Sequence, residues 1–322
     1  MGFKLFVLKR VLQIVPTLFF AILITFIIIH MAPGDPARAM AGENASPESI
    51  EALRERWGMD EPLYVQFGIY LNKILHLDLG YSYWYATPVL ELILERIPPT
   101  LLLVFSASVL SIVVGVFLGT YAGGKHPSIQ DKIIDFVALG MFSTPVFWVG
   151  LLLIIAFAIN IDLFPVVGII SLRHELSGIE YIFDIIWHLF LPMVTLSFYY
   201  LPMYLRITRA SVIEVMQEDF IRTCRAIGLS ESTVRLKHGL RNALIPVITT
   251  IGIMVGYALT GAIVTETVFG WPGLGKLTFD AISGRDYPLL LGIYLITSAL
   301  IIVSSFVTDI LYSVLDPRVK LS

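Results

Sequence analysis

The sequence predicts an all-α membrane protein, a polytopic bundle of about six transmembrane helices. Three observations carry this expectation. The 322 residues are 57% apolar and 15% charged, with a mean hydropathy of +0.82, whereas soluble domains carry about a quarter charged residues. Six apolar runs, at 11–31, 99–124, 134–159, 189–210, 244–267 and 289–314, are each long enough to cross a hydrocarbon core of ~30 Å, which takes about 20 helical residues. Polar residues gather between the runs, and the middles of all six lack Asp, Glu, Lys, Arg and His.

The first run follows Lys4, Lys9 and Arg10, and Ala37-Arg38-Ala39 imitates a leader cleavage site. Its length exceeds the roughly 7–15 residues of a signal core, so it reads as a span. Lys and Arg then orient the chain. With the N-terminus inside, the inner segments hold 14 of them and the longer outer segments 8. Glu43, Glu48, Glu51, Glu55, Asp60 and Glu61 crowd the outer side. The expected organisation is a cytoplasmic N-terminus at 1–10, the first span at 11–31, an extracytoplasmic helical loop at 32–98 and a core at 99–322. Both termini face the cytoplasm in this reading, as does a polar segment at 211–243.

Within the outer loop, Ser46-Pro47-Glu48 reads as a helix start, since Pro is tolerated where its missing N–H would be unpaired. Ile50, Leu53 and Trp57 then share a face, and Leu63, Phe67, Tyr70, Leu71 and Ile74 form a second stripe after Pro62. Such helices serve as a cap on the bundle or as a docking surface. In the spans, Gly115, Gly119 and Gly123 recur every fourth residue, and Gly252 and Gly256 repeat the spacing. These are the expected helix-packing positions, because small residues let backbones approach where lipid gives no hydrophobic drive. Pro145, Pro192 and Pro202 are candidate bends. Phe147, Trp148, Tyr199, Tyr200 and Tyr204 suit either a solute path or the core.

The empty span interiors argue against an ion-coupled carrier, which needs coordinating groups at depth. The driving energy then enters from outside the chain. Cys224 is the single cysteine, which excludes a disulfide framework and a multi-cysteine metal site. Gly270-Trp271-Pro272-Gly273-Leu274-Gly275-Lys276-Leu277 has phosphate-loop spacing, but Leu stands where Ser or Thr binds Mg²⁺, and no strand precedes it. It reads instead as an interfacial turn with Trp271 at headgroup depth.

The polar island Arg206–Leu244 carries a helix, a glycine and a second helix. Ile213, Met216, Phe220, Cys224 and Ile227 fall on one expected stripe, and Glu218 precedes Arg222 in the favourable i, i+4 order. Gly228 suits a left-handed helix end, and Ser230 suits the cap of the next helix. Its basic residues and small-apolar-glycine pattern also fit a helix-turn-helix DNA reader, although spans adjoin both ends and deny it a major groove. The acidic pair Glu218-Asp219 argues against a helix lying flat on lipid.

These residues carry a family resemblance. Phe220-Ile221-Arg222-Thr223-Cys224-Arg225-Ala226-Ile227-Gly228-Leu229 resembles Tyr-Ile-Arg-Thr-Ala-Arg-Ala-Lys-Gly-Leu of the dipeptide/oligopeptide (peptide/nickel) ABC importer permeases, with three departures. His238-Gly239-Leu240-Arg241-Asn242-Ala243, His30-Met31-Ala32-Pro33-Gly34-Asp35-Pro36, Thr265 through Gly275, and Asp316-Pro317-Arg318 are similar too. Against the general coupling motif of ABC permeases, only Gly228 and Leu240 match.

The resemblance implies a type I ABC importer permease, with a helical insertion after the first span and no catalytic, metal or cofactor site of its own. Its implied partners are a second homologous permease, two ABC ATPases binding ATP and Mg, an extracytoplasmic substrate-binding protein and the bilayer, with no nucleic acid. It places the chain in the cytoplasmic membrane of a bacterium or archaeon. Segment 211–243 becomes an ATPase-coupling element through Glu218, Asp219, Phe220, Arg222, Thr223, Cys224, Arg225, Ala226, Gly228, Leu229 and Ser230. Members of this branch carry dipeptides, oligopeptides, oligosaccharides or nickel chelates.

Overall fold

Helices dominate the computed structural model, which describes residues 3–31, 37–38, 45–57, 60–171, 177–244, 246–248, 250 and 262–315. Gly252, Gly256, Ala32–Pro36 and Asp316-Pro317-Arg318 lie outside the described residues, as do the side chains of Leu53 and Trp57. Four helices are long and apolar enough to cross a membrane among the described residues, and a bent helix pair makes a fifth candidate. Two compact units form: residues 1–100 with 272–313, and residues 101–271.

The first unit opens with α1 (Phe3–Met31). Helix α2 (Pro47–Trp57) starts where Ser46 Oγ accepts from Ser49 N at 3.2 Å, and α3 (Leu63–Leu75) starts after Pro62. Helix α3 lays Phe67 and Tyr70 against α1. The Phe67 ring lies 5.2 Å from Phe26 and 5.9 Å from Phe19, and Tyr70 lies 5.7 Å from Phe26. A two-stranded hairpin, β1 (Tyr81–Ser82) with β2 (Thr87–Pro88), leads into α4 (Val89–Gly123). Helix α4 begins ten residues before the expected span, because Val89, Leu92 and Ile93 already bury a face there. They pack on Leu274, Leu277 and Ala281 of α11 (Leu274–Ser283) and on Leu289 and Ile293 of α12 (Tyr287–Leu315).

A buried carboxylate organises this unit. Asp286, 1% exposed, accepts from Ser82 Oγ at 2.6 Å, from Trp84 N at 3.2 Å and from Leu289 N at 3.2 Å. Asp280 accepts from Tyr85 Oη at 3.1 Å and pairs with Lys276 Nζ at 2.7 Å. Hairpin, α11 and the start of α12 are thus cross-tied by charge-assisted bonds, which are stronger than neutral ones.

In the second unit the expected third span is two helices. α5 (Ile129–Ser143) and α6 (Val146–Leu153, continued by a π-helical stretch Ile154–Asn160) meet at 97°. The cause is Pro145, which supplies no N–H and takes Thr144 out of the helical region. Ser143 and Thr144 hydroxyls donate back to Leu139 O and Gly140 O, covering carbonyls near the break. Pro192 and Pro202, by contrast, sit inside the unbroken 37-residue helix α7 (Ile179–Val215).

Helices α4 and α7 touch backbone to backbone. A Cβ added at Gly115 would lie 2.8 Å from Tyr204 Cβ, at Gly119 2.6 Å from Leu205 O, and at Gly123 2.8 Å from Arg209 O. Around this seam Leu103, Val104, Ala107, Leu196, Tyr200, Tyr204 and Trp271 form the core. Trp271 is fully buried among these residues. Gly270 turns at φ +57° behind α10 (Ile263–Val268), and Trp271 N donates to Glu266 O at 2.8 Å, aiming the indole inward. Tyr200 and Tyr204 are core residues, whereas Phe147, Trp148 and Tyr199 are exposed.

Candidate functional site

Beyond α7 the chain turns at Met216–Glu218 into α8 (Asp219–Ala226). Glu218 is the N-cap by backbone geometry, and Asp219 lies in the first turn, where negative charge suits the helix dipole. At the other end Gly228 has φ +84°. Its N–H donates to Arg225 O at 3.0 Å, and Leu229 N donates to Cys224 O at 3.3 Å. This is the left-handed glycine cap with its paired 5→2 and 6→1 bonds. A side chain at 228 would meet open space, so only the backbone angle demands glycine.

The next helix, α9 (Glu231–Thr233), is capped by Ser230 Oγ, which accepts from Thr233 N at 3.4 Å. It continues as a π-helical turn, Val234–Gly239, and regains α-helical backbone at 240–244. Arg225 reaches across the glycine turn to Glu231 as a fork, Nε to Oε1 at 2.7 Å and Nη2 to Oε2 at 3.3 Å. That hydrogen bond holds the Glu231 carboxyl below its ordinary value and the Arg225 guanidinium above its own. Glu231 is 68% exposed, so the fork adds modest stability. Its effect is geometric: it fixes the angle between α8 and the turn that follows.

Two expectations about this segment are corrected. Arg222 pairs with Asp219 at 3.2 Å, one turn back, rather than with Glu218. The buried side chain of α8 is Ile221, with Cys224 half-buried; Phe220 and Ile227 of the expected stripe are 40% and 70% exposed. Ile221 and Val234, both fully buried, are the inward anchors of the pair, since α8 packs on the π-helical turn. The outward face therefore presents Phe220, Thr223 and Ile227 at helical spacing, flanked by Asp219, Arg222 and Ala226.

The segment is braced against the rest of its unit. The Arg235 stem covers Gly124, where a Cβ would overlap it, and Met216 Sδ lies 3.1 Å from where a Cβ on Gly239 would be. Sequence reasoning missed Asp131. This carboxylate, 1% exposed, takes the Arg209 fork (Nη2 to Oδ2, 3.0 Å) and His126 Nδ1 at 2.8 Å. The only local signal was Ser128, three residues before Asp131, whose hydroxyl accepts from Asp131 N at 3.2 Å. Among the described residues no three His, Cys, Asp or Glu side chains gather as metal ligands.

Long apolar helices joined by a braced polar segment with an outward apolar face define a polytopic membrane protein. Comparison with known proteins gives the family. Residues 115–321 match the family described as binding-protein-dependent transport system inner membrane component, and residues 3–104 match its N-terminal counterpart. The chain belongs to this family and is a permease subunit of an ABC-type transport system. The glutathione transport system permease protein of Escherichia coli (strain K12) is 39% identical over 315 residues, covering 98% of each chain. The dipeptide transport system permease protein of the same strain is 39% identical over 333 residues, again 98% of each. A crystal structure of an amino acid ABC transporter with histidines matches at TM-score 0.50 and 14% identity, covering 71% of this chain and 94% of that one; it supports the fold alone. Family membership sets aside the DNA-reading and ion-coupled alternatives.

Proposed function

We propose that this chain is one of two homologous permease subunits of an ATP-driven importer of dipeptides and longer peptides. Its partners in this reading are two ABC ATPases, which bind ATP and Mg, and an extracytoplasmic substrate-binding protein. The substrate class is drawn from relatives named for glutathione and dipeptide transport, both short peptides. The excess of Lys and Arg around segment 211–243 supports a cytoplasmic location for it and for both termini.

The observation that carries the coupling role is the outward face of α8. Phe220 and Ile227 stand exposed on a helix that Gly228 caps and the Arg225–Glu231 fork orients. Exposed apolar side chains held in fixed geometry suit a groove on a soluble partner better than they suit water. Closure of the ATPase pair displaces α8, and the displacement passes into α7 and the helices packed on it, moving the spans between inward- and outward-facing states. The chain itself breaks no bonds. Cys224 and Ile227, two departures from the branch pattern, adjust the fit to this system's own ATPase.

The test uses the complex reconstituted in liposomes with its binding protein and a dipeptide. Gly228→Pro removes the N–H that bonds Arg225 O and imposes a φ of about −65° where +84° is needed. Glu218→Lys places positive charge at the helix start. Each variant is expected to insert normally yet lose dipeptide-stimulated ATP hydrolysis; unchanged stimulation refutes the coupling role.

A further inference from the structure

We infer that the Asp131–Arg209 pair is a positioning device that makes residues 101–123 of α4, together with α5 and α7, move as one body when the coupling segment moves; this rests on the coupling reading above. Four elements meet at one junction. Gly123 ends α4 directly on the α7 backbone, where an added Cβ would lie 2.8 Å from Arg209 O and 2.9 Å from Val212 Cβ. The next residue, Gly124, is covered by the Arg235 stem from the π-helical turn. Arg235 Nε is buried with no hydrogen-bond partner among the described residues, so hydrocarbon packing makes this contact. Turn 124–128 then leads into α5, whose Asp131 receives both Arg209 fork nitrogens and His126. One turn further along, Asp135 lies 3.7 Å from Arg206, repeating the link at the surface.

A displacement of the π-helical turn therefore reaches the bundle at two places. It enters α7 along the chain and through Met216 against Gly239, and it enters turn 124–128 through Arg235 against Gly124. If α5 and α7 were free to slide, the two inputs would shear them apart. The bidentate Arg209–Asp131 fork opposes this, because its planar geometry fixes orientation as well as distance. A buried ion pair bears a desolvation cost that apolar packing would avoid. Its presence at this junction fits a demand for fixed geometry rather than for stability alone.

The experiment uses the assembled complex in liposomes. The ketone-bearing residue p-acetylphenylalanine, put in place of Ile133 on α5 and of Ala210 on α7, carries spin labels at exposed positions and leaves Cys224 native. With Asp131 intact, ATP should leave the 133–210 distance between α5 and α7 unchanged. Asp131→Asn should make that distance nucleotide-dependent and should lower labelled dipeptide imported per ATP hydrolysed by roughly 2- to 30-fold, the range seen for coupling mutations. If the single variant fails to assemble, Asp131→Asn with Arg209→Gln removes both charges and carries the same expectations. A nucleotide-dependent distance in the parent, or an import ratio that Asp131→Asn leaves unchanged, overturns the inference. A parent complex that hydrolyses ATP without importing the dipeptide refutes the peptide reading instead, and the distance measurement still decides the role of the pair.

Discussion

Gly119→Ala isolates the backbone seam between α4 and α7. An added Cβ would lie 2.6 Å from Leu205 O, 2.7 Å from Thr208 Cβ and 3.1 Å from Arg209 N. Ordinary contact begins at 3.4 Å, so the carbonyl alone demands 3.4 minus 2.6, or 0.8 Å, of separation between two helices. Because the obstruction is backbone and Cβ, no rotamer change relieves it. Overpacking of this kind costs about 1–3 kcal/mol. Gly140→Ala is the matched control: its Cβ would meet nothing within 4 Å, and Ala is favoured over Gly in a helix by about 1 kcal/mol. The assay is thermal unfolding of the detergent-purified complex, followed by loss of the monodisperse species. Gly119→Ala should melt below the parent and Gly140→Ala at or above it. Equal melting of the two variants refutes the seam as a close backbone contact.

Two further predictions concern polar groups. Asp286→Ala leaves Ser82 Oγ, Trp84 N and Leu289 N without their shared acceptor; each buried donor left unsatisfied costs about 1–3 kcal/mol, so the variant should fail to yield folded protein while Asp280→Ala, at a more exposed carboxylate, still purifies. Glu231 has a depressed carboxyl pKa caused by its hydrogen bond from Arg225. Its contribution is therefore full above the unfolded value near 4.5 and is lost as pH falls through the lower folded value. Amide exchange across 219–233 should stay flat from neutral pH down to about 4.5 after correction for intrinsic rates, then rise under acid, and Glu231→Gln should show the faster exchange at neutral pH, the two converging under acid.

The spans at 11–31, 99–124, 189–210 and 289–314 were legible because a hydrocarbon core sets a length that these runs meet, while most of the expected span at 244–267 lies outside the described residues. Their ends were less so. Val89–Arg96 contains Glu91, Glu95 and Arg96, which mask a helix whose Val89, Leu92 and Ile93 already bury one face at helical spacing. The glycine cap at 228 and the serine cap at 230 were legible, since both are local rules about backbone angle and nearby N–H groups. The inward face of α8 was not. Over eight residues, a stripe through Phe220 and one through Ile221 differ by a single position, and only the neighbouring Val234 turn selects between them. Asp131 with Arg209 and Ser82 with Asp286 are 78 and 204 residues apart, and no periodicity links them.

The break at Pro145 has a consequence for how α5 and α6 accommodate change. In an unbroken span, inserting one residue rotates everything on one side of it by about 100° and swaps the faces presented to neighbours. Across the 97° corner that rotation stops. The arm Ile129–Ser143, anchored at its start by Asp131, and the arm Val146–Asn160, anchored through Val149, Gly150 and Ile154, each keep an independent register. A single apolar run of ordinary length thus behaves as two separately indexed arms, one of which drifts in sequence without turning the other.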